Sequence, residues 1–183
     1  MTADNSRWAG RADADAILAL VQSAYRGDAS RRGWTTEADF LDGTRIDRDH
    51  LLALMPAADS SVGDRFQQGI LLIEDAEGLV GCAHLHATGG RVWFGLFAVD
   101  PARQGQGMGG RLLQAAEARA REDLQASALA LQVIWLRDSL IAWYQRRGYA
   151  VTGEQMPFPY GDERFGIPRR DDLHFIILEK PLQ

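Results

Sequence analysis

The chain has one cysteine, Cys82, which rules out an intramolecular disulfide framework and any multi-cysteine metal site. Cys82 stands beside Val80, Gly81 and Ala83, a setting in which a free cysteine is a small buried hydrophobe rather than a nucleophile. Long apolar runs are also missing. No segment approaches the roughly 20 residues that span a bilayer, and Met1–Arg11 lacks the apolar stretch of a secretory signal, so a cytoplasmic protein with no membrane partner is expected. Nor is there a block of like charge: 20 Lys+Arg and 25 Asp+Glu, net -5, are spread along the chain. That distribution argues against a nucleic-acid footprint. A coenzyme with several phosphates stays compatible, because backbone donors and a few arginines decide a local site. Repeats, low-complexity tracts and linkers are absent too, and 183 residues, 46% of them hydrophobic, suffice for one good core but are short for two. A single domain over residues 1–183 follows.

Hydrophobic spacing predicts a first amphipathic helix over Ala12–Arg26, with Ile17, Leu20, Val21 and Ala24 on one face. A second helical region capped by Thr35 or Thr36 would carry Phe40 and Leu41, and a third would run from Asp47 to Met55. The apolar runs Ile70–Ile73 and Leu79–His86, joined by a polar turn, read as a hairpin, and Val92–Val99 as a third strand of the meander. Asp100-Pro101 stops that strand. A glycine-rich turn then opens a helix through Leu112, Leu113, Ala116 and Ala120, followed by a strand over Leu129–Leu136. The next helix is Ser139–Arg147 with Gly148 as its C-cap, and Leu173–Leu178 closes the sheet after a long loop, Gln155–Asp172. Strand, glycine turn, helix and strand make a βαβ crossover.

The most informative segment is Gln104-Gly105-Gln106-Gly107-Met108-Gly109-Gly110. Glycine costs about 1 kcal/mol relative to alanine inside a helix, so glycines gathered at a helix start answer a need for close backbone approach or positive φ. Unpaired N–H groups at such a start bind anions, and Arg103 and Arg111 flank it with positive charge. The functional reading is a diphosphate cradle; the bland one is a tight strand-to-helix turn. Gly105, Gly107 and Gly110 also satisfy G-x-G-x-x-G, but that pattern belongs to a first βαβ unit with an acidic residue at the next strand's tip. Here a meander precedes it and Arg137 follows the strand. Gly105 and Gly110 have Walker-A spacing, yet Arg111-Leu112 replaces the lysine and hydroxyl residue.

The run Leu96-Phe97-Ala98-Val99-Asp100-Pro101 followed by Gln104-x-x-Gly107-x-Gly109 resembles the coenzyme-A motif of the Gcn5-related N-acetyltransferases. About 35 residues on, Ile141-Ala142-Trp143-Tyr144-Gln145-Arg146-Arg147-Gly148-Tyr149 resembles the family's second signature, a tyrosine-bearing helix ending in glycine and an aromatic residue. The resemblance implies an α/β (α+β) fold with a mixed, mostly antiparallel central sheet, helices on both faces and a splayed pair of parallel strands. It implies acetyl-CoA as acyl donor, with pantetheine against Phe97, Ala98 and Val99 and the diphosphate on Arg103, Gln104, Gly105, Gln106, Gly107, Met108 and Gly109, Gly110 packing behind. The activity implied is acetylation of a primary amine of a small molecule, amino acid or peptide, by direct attack in a ternary complex. The alternative is a non-catalytic acyl-CoA sensor of the same fold. Dimers are common among relatives, so a homodimer is compatible.

Acyl transfer needs a deprotonated amine, a donor for the oxyanion and a proton for the departing thiolate. Tyr144 reads by spacing alone as a core aromatic; the second signature makes it the candidate acid, and a main-chain N–H near Val99 is the candidate oxyanion donor. The base departs from the family pattern, because Val92–Val99 contains no carboxylate. His84 and His86 face one side of the neighbouring strand. They are either a water-mediated proton relay or two histidines on a partly exposed face, and without a third ligand they predict no metal. Arg137 stands where many relatives carry asparagine, placed to pair with Asp138 or to meet a coenzyme phosphate. By resemblance the acceptor meets residues 25–45, including Trp34, Glu37 and Asp39, and the loop 158–165, including Tyr160. His84 is a further substrate-side candidate. Carboxylates beside aromatic faces suit a cationic amine, and the alternative is that they are solvated surface groups.

Overall fold

The computed structural model describes residues 6–26, 30, 36–55 and 67–183. In chain order the elements are β1 (Ser6–Trp8), α1 (Ala14–Tyr25), β2 (Leu41–Asp42), α2 (Arg48–Ala53), β3 (Gln68–Asp75), β4 (Gly78–Thr88), β5 (Arg91–Val99) and α3 (Met108–Glu122). Then come β6 (Ala128–Ile134), α4 (Asp138–Gln145), β7 (Ala150–Pro157), β8 (Ile167–Pro168) and β9 (His174–Pro181). The main sheet has the order β1-β3-β4-β5-β6-β9-β7, and β2 pairs with β8 separately. Every neighbouring pair of the main sheet is antiparallel except β5 with β6. The mixed, mostly antiparallel sheet with helices on both faces is therefore observed.

Local chemistry sets most of these elements. Asp75 accepts from the Glu77 amide at 2.8 Å to close the β3–β4 turn, and Gly89 and Gly90 take φ of +59° and +80° to close β4–β5, a two-residue turn that follows strand twist. Asp47 caps α2 by accepting from the His50 amide at 2.8 Å. The faces of α1 and α2 bury Ile17, Leu20, Val21 and Leu51 against Ile70, Leu72 and Cys82 on one side of the sheet. On the other side Leu112, Leu113, Ala116 and Ala120 of α3 pack on Leu71, Val80, Leu85 and Leu129. Each fully buried leucine contributes roughly 1.5–3 kcal/mol. Cys82 is completely buried, and burial pushes its thiol up to about 12, leaving a packing residue without nucleophilic character.

Two expectations change, and one strand is added. Phe40 and Leu41 are not helical: Thr36 accepts from the Ala38 amide in a local turn, and Leu41–Asp42 pairs with Ile167–Pro168. The stretch Gln155–Asp172 is not wholly loop, since β7 runs to Pro157 along β9. That strand escapes pattern reading because all its residues are exposed and Gly153, at φ +87°, interrupts the pairing register, so no apolar alternation remains to detect. β1, three residues long, is too short for any period to show.

Candidate active site

The site begins where the one parallel pair stops. β5 and β6 are in register from Arg91/Ala128 to Phe94/Leu131, whereas β5 continues to Val99 and β6 to Ile134. Beyond Phe94 and Leu131 the two strands part. β5 also carries an extra residue against β4, with Cys82 opposite Ala98 but His84 opposite Gly95. Leu96 sits in that bulge at φ +47°, a left-handed conformation costing a non-glycine residue about 1–3 kcal/mol. The bulge turns backbone groups of Leu96 and Phe97 away from the ladder, and the Tyr25 hydroxyl donates to the Phe97 carbonyl at 2.7 Å.

Two cavities open from the gap, and Phe97 lines both. The larger, about 420 Å³, is formed by Phe97, Val99, Gln104, Gly105, Gly107, Gly109 and Gly110, with Ser139, Trp143, Arg146 and Arg147 from the α4 side. Gly105 and Gly107 have φ of +80° and +81° with open space where a Cβ would stand, and a Cβ on Gly109 would lie 3.4 Å from Phe97 and 3.6 Å from Trp143. Gly107 is also the N-cap of α3, so first-turn amides of a 15-residue helix face this cavity without intrahelical acceptors. Arg147 lies 3.7 Å over the Trp143 ring. Glycines, helix amides and two arginines suit a diphosphate.

Not every residue expected at the coenzyme lines this cavity. Ala98 is buried among the residues under α1. Arg103 is ion-paired with Asp75 and Glu77 on the β3–β4 turn, and Gln106 and Met108 are outside the lining. The cationic groups at the cradle are instead Arg146 and Arg147. Their place follows from the same helix that carries Tyr144, a signal available in the sequence as the Arg146-Arg147 pair immediately before Gly148.

The smaller cavity, about 110 Å³, brings together Tyr25, Glu37, Arg45, Arg137 and Tyr144 with an apolar wall that includes Leu41, Phe158 and Phe175. Tyr144 is 3% exposed, and burial raises its phenol well above the ordinary value, so it stays protonated throughout the working range. Glu37 Oε2 accepts from Arg26 Nη1 at 2.8 Å and Oε1 from Arg137 Nη1 at 3.3 Å. Burial alone would raise the Glu37 carboxyl, but Arg137, Arg45 and Arg26 outweigh it and hold the group below its usual value. Arg137 thus pairs with Glu37. Because the Glu37 charge is committed to arginines, its expected role as an anionic anchor for a cationic amine does not fit this geometry. Tyr25 and Arg45 belong to no motif, although the segment 25–45 that holds them is the one expected to meet the acceptor.

The remaining acceptor candidates lie apart. Tyr160 accepts from the Leu173 amide at 2.7 Å and packs edge-on to Phe158, so it braces the loop while Phe158 and Phe165 line the cavity. Asp39 is exposed. Trp34 lies outside the described residues. His84 faces a separate shallow cavity with His86, Trp93 and Met156, and burial and then His86 lower it to about 4. Among the described residues no cluster of three or more His, Cys, Asp or Glu could hold a metal, and no helix is long and apolar enough to cross a membrane.

A family model described as an acetyltransferase (GNAT) domain matches residues 67–151. No curated protein matches. Among solved structures, the chain is similar to the ribosomal-protein-S18-alanine N-acetyltransferase of Escherichia coli, at 17% identity and TM-score 0.65 over 97% of this chain and 93% of that one. It is similar to yncA of Salmonella typhimurium, solved with its cofactor acetyl-CoA, at 23% identity and TM-score 0.66 over 97% and 93%. A spermidine N-acetyltransferase chimera from Vibrio cholerae and hSSAT gives 16% identity and TM-score 0.63 over 97% and 94%. At these identities the likeness is one of fold.

Proposed function

We propose, from the acetyltransferase (GNAT) domain that matches residues 67–151, that the chain is a Gcn5-related N-acetyltransferase and transfers an acetyl group from acetyl-CoA to a primary amine. The acceptor is a small molecule, amino acid or peptide, and residues 1–183 act as a single cytoplasmic acyltransferase domain. One observation carries the reading: β5 and β6 part above the glycine turn, and the glycine-lined cavity meets the Tyr144-lined cavity at Phe97.

Gln104, Gly105, Gly107, Gly109 and Gly110, with Arg146 and Arg147, hold the coenzyme. When bound, acetyl-CoA supplies an acyl thioester open to attack by a neutral amine. The parted backbone of β5 near Val99 offers main-chain donors to that carbonyl. Tyr144 keeps its phenol proton and presents it to the leaving sulfur. No side chain of Arg91–Val99 is acidic, so proton removal from the amine depends on the field of the acceptor cavity rather than on a carboxylate in that strand. That same absence supports a second reading, a non-catalytic acyl-CoA sensor.

The solved neighbours are named for acceptors as unlike as S18 alanine and spermidine, so the fold does not carry an acceptor over. Calorimetric titration with acetyl-CoA, with NADH and ATP as controls, tests the coenzyme; thiol release with an amine panel separates enzyme from sensor. Binding of acetyl-CoA with thiol release supports transfer, binding without release supports the sensor, and binding of NADH alone would overturn both.

A further inference from the structure

The acceptor-side cavity is electropositive. Of its lining residues, Arg45 and Arg137 are basic and Glu37 alone is acidic. Both Glu37 oxygens are engaged, one by Arg137 and one by Arg26, which stands behind it 3% exposed. Arg26 Nε and Nη2 are buried and have no hydrogen-bond partner among the described residues. Three guanidinium groups therefore converge on one carboxylate beside a wall of Leu41, Phe158 and Phe175. Arg45 lies over the Tyr25 ring at 5.3 Å, and among the described residues it makes no ion pair. A cationic excess next to apolar walls is screened far less than one on the surface.

Resting on the acyl-transfer reading above, we propose that the acceptor carries a carboxylate beside its reactive amine: an α-amino acid with an apolar side chain, its carboxylate taken by Arg45 and its side chain by Leu41, Phe158 and Phe175. A planar guanidinium matches a carboxylate in shape as well as charge. The positive field does a second job. It disfavours the ammonium form of the incoming amine, which loses its proton more readily in a site where β5 supplies no carboxylate to take it. A polyamine is rejected by the same field, because each further ammonium group adds like-charge repulsion. In the transfer the amide N–C bond forms and the thioester C–S bond breaks; coenzyme A leaves as the thiol, and an acceptor entering as ammonium releases one net proton to solvent.

The test pairs amino acids with amines that differ only by the carboxylate. With acetyl-CoA saturating and thiol release as readout, L-phenylalanine and L-leucine should show kcat/KM roughly tenfold or more above phenethylamine and isopentylamine, the order expected for one charge-assisted hydrogen bond, and spermidine should be poorest. Arg45→Gln should collapse that ratio towards one, chiefly through the KM of the amino acid. Arg45→Lys, which keeps the charge, should preserve most of it. Amines or spermidine turned over as well as the amino acids would overturn the anionic acceptor and leave acyl transfer standing. So would silence from both amino acids in protein that binds acetyl-CoA. An unchanged ratio in folded Arg45→Gln protein would overturn the Arg45 assignment, whereas failure of wild-type protein to bind acetyl-CoA would remove the reading beneath.

Discussion

The Tyr25 hydroxyl donates a 2.7 Å hydrogen bond to the Phe97 carbonyl, tying the last residue of α1 to the strand where it has left its parallel partner. The carbonyl lies beyond the paired part of β5 and β6 and is part-buried, so without Tyr25 it would lose the donor it has inside the protein. Burial pushes the Tyr25 phenol up to about 12, which keeps it a donor at every working pH. Tyr25→Phe removes the donor while keeping the ring. We expect a loss of about 1–3 kcal/mol in urea unfolding and a reduced kcat/KM, because the Phe97 backbone separates the two cavities. Wild-type stability together with wild-type turnover would show that the bond holds nothing in place.

Tyr144 is tested by the same exchange with a different readout. Its hydroxyl is the group offered to the leaving sulfur, and its ring packs on Phe97, Trp143 and Tyr149. Tyr144→Phe should therefore keep the packing, leave acetyl-CoA affinity close to wild type and lower kcat by about tenfold to a thousandfold, within the range for loss of an acid-base group. Because burial holds the phenol protonated, wild-type kcat should show no descending limb from this residue below pH 10. A variant as fast as wild type would remove the acid role.

The cradle makes a steric prediction. Gly107 stands at φ +81° as the N-cap of α3 with open space on its Cβ side, part of the larger cavity. Gly107→Val places a β-branched side chain in a left-handed conformation and in that space, so acetyl-CoA binding measured by calorimetry should fall by about a hundredfold or more, equivalent to roughly 2.7 kcal/mol. Gly78 also has positive φ and nothing near its Cβ position, but it lies on the β3–β4 turn, and Gly78→Val provides the control for strain alone. Equal losses in both variants would mean that strain, not occupation of the site, is responsible.

What could be read in the sequence follows from the range of each interaction. The Gly105–Gly110 turn is a local backbone requirement, so it shows as composition, and the faces of α1 and α3 show as spacing. Nearness in sequence to the turn does not place Arg103 at the cradle, because Asp75 and Glu77 capture it from another hairpin. Arg146 and Arg147 reach the cradle only through the packing of α4. The convergence of Arg26, Arg45, Glu37 and Arg137 joins residues up to 111 positions apart, and no period or motif encodes such a meeting. β7 leaves no apolar pattern because it is exposed along its whole length.

Glu37 links the acceptor site to stability. Its carboxylate is buried between Arg26 and Arg137, so Glu37→Gln removes the negative charge that faces the buried Arg26 guanidinium and should cost about 3–5 kcal/mol. The Glu37 carboxyl is held below its ordinary 4.5 in the folded protein. A depressed carboxyl contributes stability that is present above the unfolded value and is lost as pH falls through the folded one. Wild type should thus lose stability steeply below about pH 4.5, and Glu37→Gln should lose less over the same interval. Identical acid slopes in chemical unfolding would show that the carboxylate is not the group being protonated.

His84 predicts a second, higher window with a different origin. It is half-buried on β4 beside His86, at 6.3 Å between ring centroids, and its Nε2 is buried with no partner among the described residues. Burial first, and His86 second, lower it from 6.5 to about 4. The folded protein therefore binds fewer protons at this position than the unfolded chain between those values. Its contribution to stability is full above about pH 6.5, falls as pH drops towards 4 and is then exhausted. His84→Gln, which cannot titrate, should flatten the stability profile between pH 6.5 and 4.5, an interval above the range in which Glu37 acts. Because His84 faces a separate cavity, the same variant should change turnover less than Tyr144→Phe does. A loss of kcat as large as that of Tyr144→Phe, with the pH slope unchanged, would instead make His84 part of the proton path.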